Sequence, residues 1–296
     1  MRRRSSLALA ICAALCASQL FAEPRAEPVA HFSWHPKYKY FGGVSGLEVT
    51  ADGLRFVAVS DDGTLYRGNL TRDQDGLLEG ATLVETIPLV IEDGTRPDPK
   101  RYRDMEGLAL ASDGMFHISA EHNSRILSYA DAKGTPDAQQ LPFVKTNTPK
   151  NVGYEAFAIS PEGHFIVMRE GSASIRTPFR IYQRATDGTW NTIYNLPRVG
   201  SFRPVGADFG PDGHLYVLTR GFNGFAFAAQ IERVQFSNGK PVGHERLFAG
   251  EFGQFDNLEG ISAWRDQQGK TRLVAISDDN FSRFQSTIIV EFELQE

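Results

Sequence analysis

The chain has 296 residues, with 31 lysines and arginines against 36 acids, a net charge of −5, and 41% of its residues are hydrophobic. That is the balance of a globular protein long enough for one large domain or two ordinary ones, and an acidic chain lacks the basic face that a nucleic-acid backbone requires. Its two cysteines, Cys12 and Cys16, lie close to the N-terminus, so the body of the chain has neither a disulfide nor a thiolate metal site.

Arg2, Arg3 and Arg4 precede an apolar run from Leu7 to Phe21. A basic start followed by a run of that length is the pattern of a secretory signal peptide, with Ala22 or Ala17 as the last residue before cleavage. The run is short for a helix that spans a bilayer. The expectation is a signal peptide at 1–22 and a mature domain at 23–296 with no membrane span, periplasmic or secreted and monomeric. Removing 1–22 takes away three arginines and no acid, which leaves 28 basic and 36 acidic residues, a net charge of −8. A cation, or a substrate carried with one, suits such a surface.

After the leader, "PVAHFSWHP" from Pro28 reads as a strand with no partner nearby. Five related units follow, beginning "VSGLEVTADG" at Val44, "MEGLALASDG" at Met105, "YEAFAISPEG" at Tyr154, "PVGADFGPDG" at Pro204 and "LEGISAWRDQQG" at Leu258. In the first four the turn glycines Gly53, Gly114, Gly163 and Gly213 stand 61, 49 and 50 residues apart, a period that suggests a propeller or solenoid. Each unit opens with a short strand. A turn then offers Gly a positive φ, and a second apolar strand follows: Phe56–Val59, Phe116–Ser119, Phe165–Met168, Leu215–Leu218 and Leu273–Ile276. A third strand ends near Tyr66, Tyr129, Tyr182, Val234 or Phe292. Fourth strands begin at Leu83, Gln140, Asn191 and Glu245, and the fifth unit has none after it. The strand at Pro28 supplies the missing member and closes the ring, which removes the open sheet edge. No segment keeps a helical period. The expected fold is all-β, a single propeller of five blades (six being the alternative), with the N-terminal strand in the last blade.

Within each first strand, Gly46, Gly107, Ala156, Gly206 and Gly260 face one side, and Leu47, Leu108, Phe157, Ala207 and Ile261 the other. Small residues suit a strand that lines the axis. The residue before each small one is Ser45, Glu106, Glu155, Val205 or Glu259, and the second strands close on Asp62, Glu121, Glu170, Arg220 and Asp279. An antiparallel pair brings both ends to one rim, so ring closure gathers these side chains at one channel mouth. Carboxylates converging without cysteine favour a hard cation with oxygen ligands, Ca²⁺ first; Glu106, Glu155, Glu259, Asp62 and Asp279 are the candidate ligands. The bland alternative is that such acids cap turns or pair with Arg103, Arg169, Arg203 and Arg220. Arg169, Arg203 and Arg220 are the candidate binders of a small anionic or ester substrate. Glu121 and His122, neighbours on the rim, are the candidate acid–base pair. Phe222, Phe225 and Phe227 form an aromatic insertion that could line a cleft, contact a partner or simply pack. Ser45 in "GGVSG" is not a nucleophile elbow, because the Gly-x-Ser-x-Gly spacing is missing.

The phrases "VSGLEVTADGLRFVAVSDDGTLY", "RDMEGLALASDG", "GYEAFAISPEG" and "DNLEGISAW" with "LVAISDDNF" together resemble the phytase-like domain family, also described by an esterase-like activity of phytase. The likeness runs from Val44 to Phe292. It implies an exported propeller that acts on phosphoric or carboxylic esters. It carries Glu106 and Glu259 in "MEGL" and "LEGI", and Asp61/Asp62 and Asp278/Asp279 in the two "SDD" phrases. The fourth unit departs from the pattern, with Val205 and Arg220 at positions that are otherwise mostly acidic. Two other functions fit the same residues: a lactonase, and a non-catalytic propeller that binds a ligand or protein and is stabilised by a cation.

Overall fold

The computed structural model describes residues 23–96, 105–121, 124–141, 153–172 and 174–296. Residues 1–22, where a signal peptide is expected, and Arg103, Asp104 and His122 therefore lie outside the described residues. The described chain forms five four-stranded antiparallel sheets and contains no helix.

The strands follow the repeats. β1 (Arg25–Ser33) comes first. Blade 1 holds β2 (Val44–Val49), β3 (Arg55–Ser60), β4 (Thr64–Arg72) and β5 (Leu78–Pro88). Blade 2 holds β6 (Met105–Leu110), β7 (Phe116–Ala120), β8 (Arg125–Tyr129) and β9 (Asp137–Gln140). Blade 3 holds β10 (Ala156–Ile159), β11 (Phe165–Met168), β12 (Phe179–Arg184) and β13 (Trp190–Leu196). Blade 4 holds β14 (Arg203–Phe209), β15 (Leu215–Phe222), β16 (Phe227–Ser237) and β17 (Lys240–Ala249). Blade 5 holds β18 (Leu258–Arg265), β19 (Thr271–Ser277), β20 (Ile288–Gln295) and, on its outer edge, β1. Some placements differ from the sequence reading: β4 runs on to Arg72 rather than ending near Tyr66, and β5 and β17 start at Leu78 and Lys240 rather than at Leu83 and Glu245. The outer strand of blade 2 ends at Gln140 rather than starting there, because "DAQQ" is the segment that pairs with Arg125–Ser128.

The turn glycines behave as their sequence context requires: Gly53, Gly114, Gly163 and Gly213 have φ of 68°, 89°, 84° and 80°, a region closed to most other residues. The apolar faces of neighbouring blades meet in five clusters, one per interface. Leu258, Ile261 and Phe292 of blade 5, for example, pack on Tyr216, Leu218 and Ile231 of blade 4. Val59, Leu65 and Leu89 of blade 1 pack on Leu108, Ile118 and Tyr129 of blade 2. The core is thus a ring of sheet-on-sheet seams around an axis lined by the first strands.

The ends of the chain close that ring as expected. β1 pairs with β20 from Arg25↔Gln295 to Ser33↔Ile288, with a bulge at Pro28/Ala30. A buried ion pair ties the closing blade to blade 1. Glu291 on β20 is fully buried and accepts from both Arg72 Nη1 (2.8 and 3.0 Å) and the Leu78 amide (3.1 Å). The Arg72 guanidinium also lies 4.2 Å from the Trp264 ring centroid. Glu291→Ala strands Arg72 in the seam, and removal of one partner from a buried pair costs about 3–5 kcal/mol. Urea unfolding should therefore show a much lower midpoint for Glu291→Ala, with Glu291→Gln falling between it and the wild type. Equal midpoints for all three would show that the seam closes without this pair.

Candidate active site at the propeller mouth

The first strands reach the mouth through a repeated irregularity. In blades 1, 2, 4 and 5 the ladder slips next to the small residue, between Val44/Gly46, Met105/Leu108, Pro204/Gly206 and Leu258/Gly260. The slip leaves an extra residue in the first strand: Ser45, Val205 and Glu259 in three blades, and Glu106 with Gly107 in blade 2. Such a bulge re-aims a side chain. The extra residues and Glu155 of blade 3 form the upper ring of the axis.

The second strands contribute the neighbouring position. Backbone bonds Asp61 N→Gly43 O, Glu170 N→Gly153 O and Asp278 N→Asn257 O set an equivalent register in three blades. The ring therefore takes Asp61, Glu121, Glu170, Arg220 and Asp278. In the two "SDD" phrases this is one residue earlier than the Asp62 and Asp279 of the sequence reading. Asp62 instead accepts from the Ser60 hydroxyl at 2.5 Å and lies 3.8 Å from Arg96. Asp279 Oδ1 accepts from the Gly43 amide at 2.9 Å and the Phe281 amide at 3.0 Å. It thereby holds a turn in which Asn280 and Phe281 both have φ of 49°. Two acids in succession divide the work: one faces the axis and one fastens the loop.

Arg220 occupies the centre of the carboxylates. Its Nη1 donates to Asn257 Oδ1 at 2.8 Å and to Glu259 Oε1, and its Nη2 lies 3.3 Å from Glu170 Oε1. Asn257 Nδ2 donates to the same Glu259 oxygen at 2.8 Å. Arg203, with its side chain 47% exposed, reaches Glu170 Oε1 from outside at 3.4 Å. Burial alone would weaken the charge of Arg220, but Glu259, Glu155, Glu170 and Glu106 around it reverse that and raise its pKa. For Glu155, burial first and then the charges of Glu170 and Glu106 push the carboxyl well above its ordinary value, against the pull of Arg220. Burial also raises Glu259, with Arg220 opposing. Asp278 is pushed up to about 8 by burial, then by Glu259, with smaller contributions from Asp61 and Asp279. The mouth thus holds carboxyls that burial pushes toward the acid form, beside Arg220 and Arg203.

The expected substrate arginines separate into different roles. Arg220 is the buried counter-charge, and Arg203 is on the rim. Arg169 lies with its guanidinium 5.6 Å from the Tyr154 ring centroid. The sequence reading missed Arg198, which donates to the Ser172 hydroxyl at 2.7 Å and the Gly200 carbonyl at 3.0 Å. Burial and then the nearby charge of Arg203 lower its pKa, with Glu170 opposing. Glu121 stands on the rim with its side chain against the backbone of Gly153, where a Cβ would lie 2.3 Å from Glu121 Cγ. A cation is a matter of the donor set. The oxygens are of the right kind, but among the described residues no three His, Asp or Glu side chains converge in a way that could hold a metal ion. The guanidinium of Arg220 stands among them instead, and Asp62 and Asp279 are engaged elsewhere. The expected five-acid ligand set does not fit as a set.

A second acidic level, unrecognised in the sequence, lies three residues further along the first strands. Glu48 and Asp208 are both buried there, and Ser262 Oγ lies 3.4 Å from Glu48 Oε2 and 3.1 Å from Asp208 Oδ2. Val49 donates its amide to Ser262 Oγ (3.0 Å), and Ala263 donates to Asp208 (2.7 Å). The equivalent residues of blades 2 and 3 are Ala109 and Ala158, so the same repeat alignment marks the pair as two acids in an otherwise small-residue ring. Burial raises both carboxyls, Asp208 to about 7, and the charge of Asp208 raises Glu48 further. A folded-state pKa above the unfolded one contributes stability that is complete below the unfolded value and is lost as pH rises through the folded one. The melting temperature should fall between pH 5 and pH 9 as Glu48, Asp208 and Asp278 lose protons. In Glu48→Gln, whose amide can donate to Asp208 without ionising, calorimetry should show a shallower fall. An identical slope in the variant would mean that Glu48 does not titrate in this window.

An all-β ring of five blades, closed by its N-terminal strand and carrying an acidic mouth crossed by arginine, defines the class as an axial-site propeller. The family model "Phytase-like: Esterase-like activity of phytase" matches residues 39–281. The chain belongs to the phytase-like family. No curated protein matches it in sequence. Among solved structures it is similar to the PQQ-bound aldose sugar dehydrogenase of Streptomyces coelicolor, with 13% identity, a TM-score of 0.51, and coverage of 93% of this chain and 99% of that one. It is also similar to virginiamycin B lyase from Staphylococcus aureus, with 16% identity, a TM-score of 0.42, and coverage of 86% and 71%. A likeness at these identities is one of fold. No helix among the described residues is long and apolar enough to cross a membrane.

Proposed function

We propose that the protein hydrolyses an anionic ester, phosphoric or carboxylic, at the propeller mouth. The observation that supports this reading is the relay Arg203–Glu170–Arg220–Glu259 laid beside Glu155 and Asp278, whose carboxyls burial and neighbouring charge push upward. Arg203 and Arg198 take the anion from the solvent side. Arg220, already neutralised by its carboxylates, keeps the acids in place rather than binding substrate itself. Glu155, held in its acid form, donates a proton to the leaving oxygen. Glu121, with His122 next to it in sequence, orients the attacking water and accepts its proton. A lactone is the cyclic member of the same substrate class. The N-terminal leader makes export part of this reading, and the N-terminal residue of the exported chain, Glu23 after cleavage at Ala22, tests it.

The assay is release of p-nitrophenol from p-nitrophenyl phosphate and p-nitrophenyl acetate. Glu155→Gln should lower kcat by about 100-fold or more, the usual contribution of a general acid. Arg203→Ala should raise KM for the phosphate roughly tenfold while leaving kcat within about threefold, as expected when binding common to ground and transition states is removed. A purified wild type that turns over neither ester nor a lactone overturns the hydrolase and leaves a binding propeller.

A second reading retains a divalent cation, Ca²⁺ first, at the acidic mouth. What favours it is the excess of carboxylates over Arg220, expressed in the repulsion of Glu155 by Glu170 and Glu106. The cation would replace protons as the neutralising charge, with Glu106 and Glu155 as its oxygen donors. Thermal unfolding in EDTA and then in Ca²⁺ separates the two. A rise in melting temperature that disappears in Glu106→Gln supports the cation, and an unchanged curve removes it.

A further inference from the structure

The exposed aromatic residues beside the arginines are not accounted for by hydrolysis as such. Phe225 is 98% exposed, Phe222 50% and Phe252 44%. All three sit on the mouth face, in the β15–β16 hairpin and the β17–β18 loop. They form one ledge. The hairpin closes through Asn223 N→Ala226 O at 3.2 Å and docks on the neighbouring loop through Gly253 N→Phe227 O at 2.8 Å. The rings of Phe222 and Phe227 are 4.8 Å apart, and those of Phe202 and Phe252 6.1 Å. Phe202 lies flat against Gly221, where a Cβ would come within 3.1 Å of its ring.

The ledge is continuous with the cationic side of the mouth. Phe202 precedes Arg203, and Arg203 pairs across the ladder with Arg220. The guanidinium of Arg220 is 5.9 Å from the Phe227 ring centroid. Clustered exposed aromatic surface rimmed by polar residues is the signature of a binding surface. The charge available is small. Arg220 is consumed by Glu259 and Glu170, which leaves Arg203, itself beside Glu170, and Arg198 on the solvent side of a mouth rich in acids. Such a site accommodates one anionic group and repels a ligand bearing many.

We propose that the substrate class is an anionic amphiphile: a single phosphate or carboxylate group joined to an alkyl or aryl body, with the anion at Arg203 and Arg198 and the apolar body on Phe202, Phe222, Phe225 and Phe252. This inference deepens the hydrolase reading and shares its site. Its test is separate, because it uses ligands that are not cleaved. Calorimetry would compare methylphosphonate with octylphosphonate, both below micelle-forming concentration. Octylphosphonate should bind at least about tenfold more tightly, the gain expected from burying roughly two methylene groups. That gain should vanish in the double variant Phe225→Ser/Phe252→Ser, which alters one side chain wholly in solvent and one nearly half exposed. Arg203→Ala should weaken both ligands by a similar factor. Equal affinities for the two phosphonates, a chain-length gain that survives in the double variant, or no binding of either would overturn the inference. Turnover of p-nitrophenyl esters in the same preparation would then leave the hydrolase standing. Tight, chain-dependent binding without turnover of any ester would keep the ledge and remove the hydrolase.

Discussion

The structure depends on how closely five strands can approach one axis. At Gly206 a Cβ would lie 2.3 Å from the Glu259 carbonyl oxygen of the next blade, and at Gly107 it would lie 2.5 Å from Phe157 Cβ. Gly46 and Gly260 face their own neighbours in the same way, with Glu106 and Leu47. Four of the five first strands thus press bare backbone on the next, blade 3 alone carrying a methyl group at Ala156, and the ring closes without space for one at the four glycines. The apolar seams can then run unbroken between blades, because side chains such as Leu108 and Ile261 are turned away from the axis into them. The constraint is steric first and hydrophobic second.

A tight axis has an electrostatic consequence. The residue before the small one and the residue two places after it are delivered to the axis five times, and this chain delivers acids at both levels. At the upper level, solvent and Arg220 share the neutralisation. At the lower level Glu48 and Asp208 have only Ser262 and backbone amides between them, and protons must do the rest. The outer loops bear the opposite burden. Asp279 and Asp62 spend their oxygens on fixing turns, which lets Asp278 and Asp61 remain on the ring. The mouth is therefore built from residues that the fold brings inward regardless of use.

Much of this was legible from the repeats. Blade number, the closing strand, the inward small residues and the rim position of Glu106, Glu155 and Glu259 all follow from aligning five units and applying a period of two. The one-residue offset in the "SDD" phrases was not, because two adjacent acids satisfy the alignment equally and only the bulged ladder and the Gly43 turn decide between them. Arg198 was hidden for a different reason. It lies in the β13–β14 connection, outside the repeated strands, and is brought to Arg203 by tertiary packing alone. Glu48 and Asp208 were visible in the alignment but were passed over, since each occurs in a strand whose other residues read as core.

Arg220 carries the broader lesson. In the repeat it breaks an otherwise acidic position, and a cage of identical ligands would read it as a gap. Physically, four carboxylates that share a partly desolvated mouth need a counter-charge, and the repeat that departs from the pattern is where one can enter. Because the departure falls in blade 4, it also makes the mouth unequal. Blades 1, 2, 3 and 5 all present acids, while blade 4 presents Arg220 and Arg203, with Arg198 and the aromatic hairpin beside them. A nearly five-fold scaffold thereby acquires one cationic blade among four acidic ones, and that single departure is where an anionic head can be received.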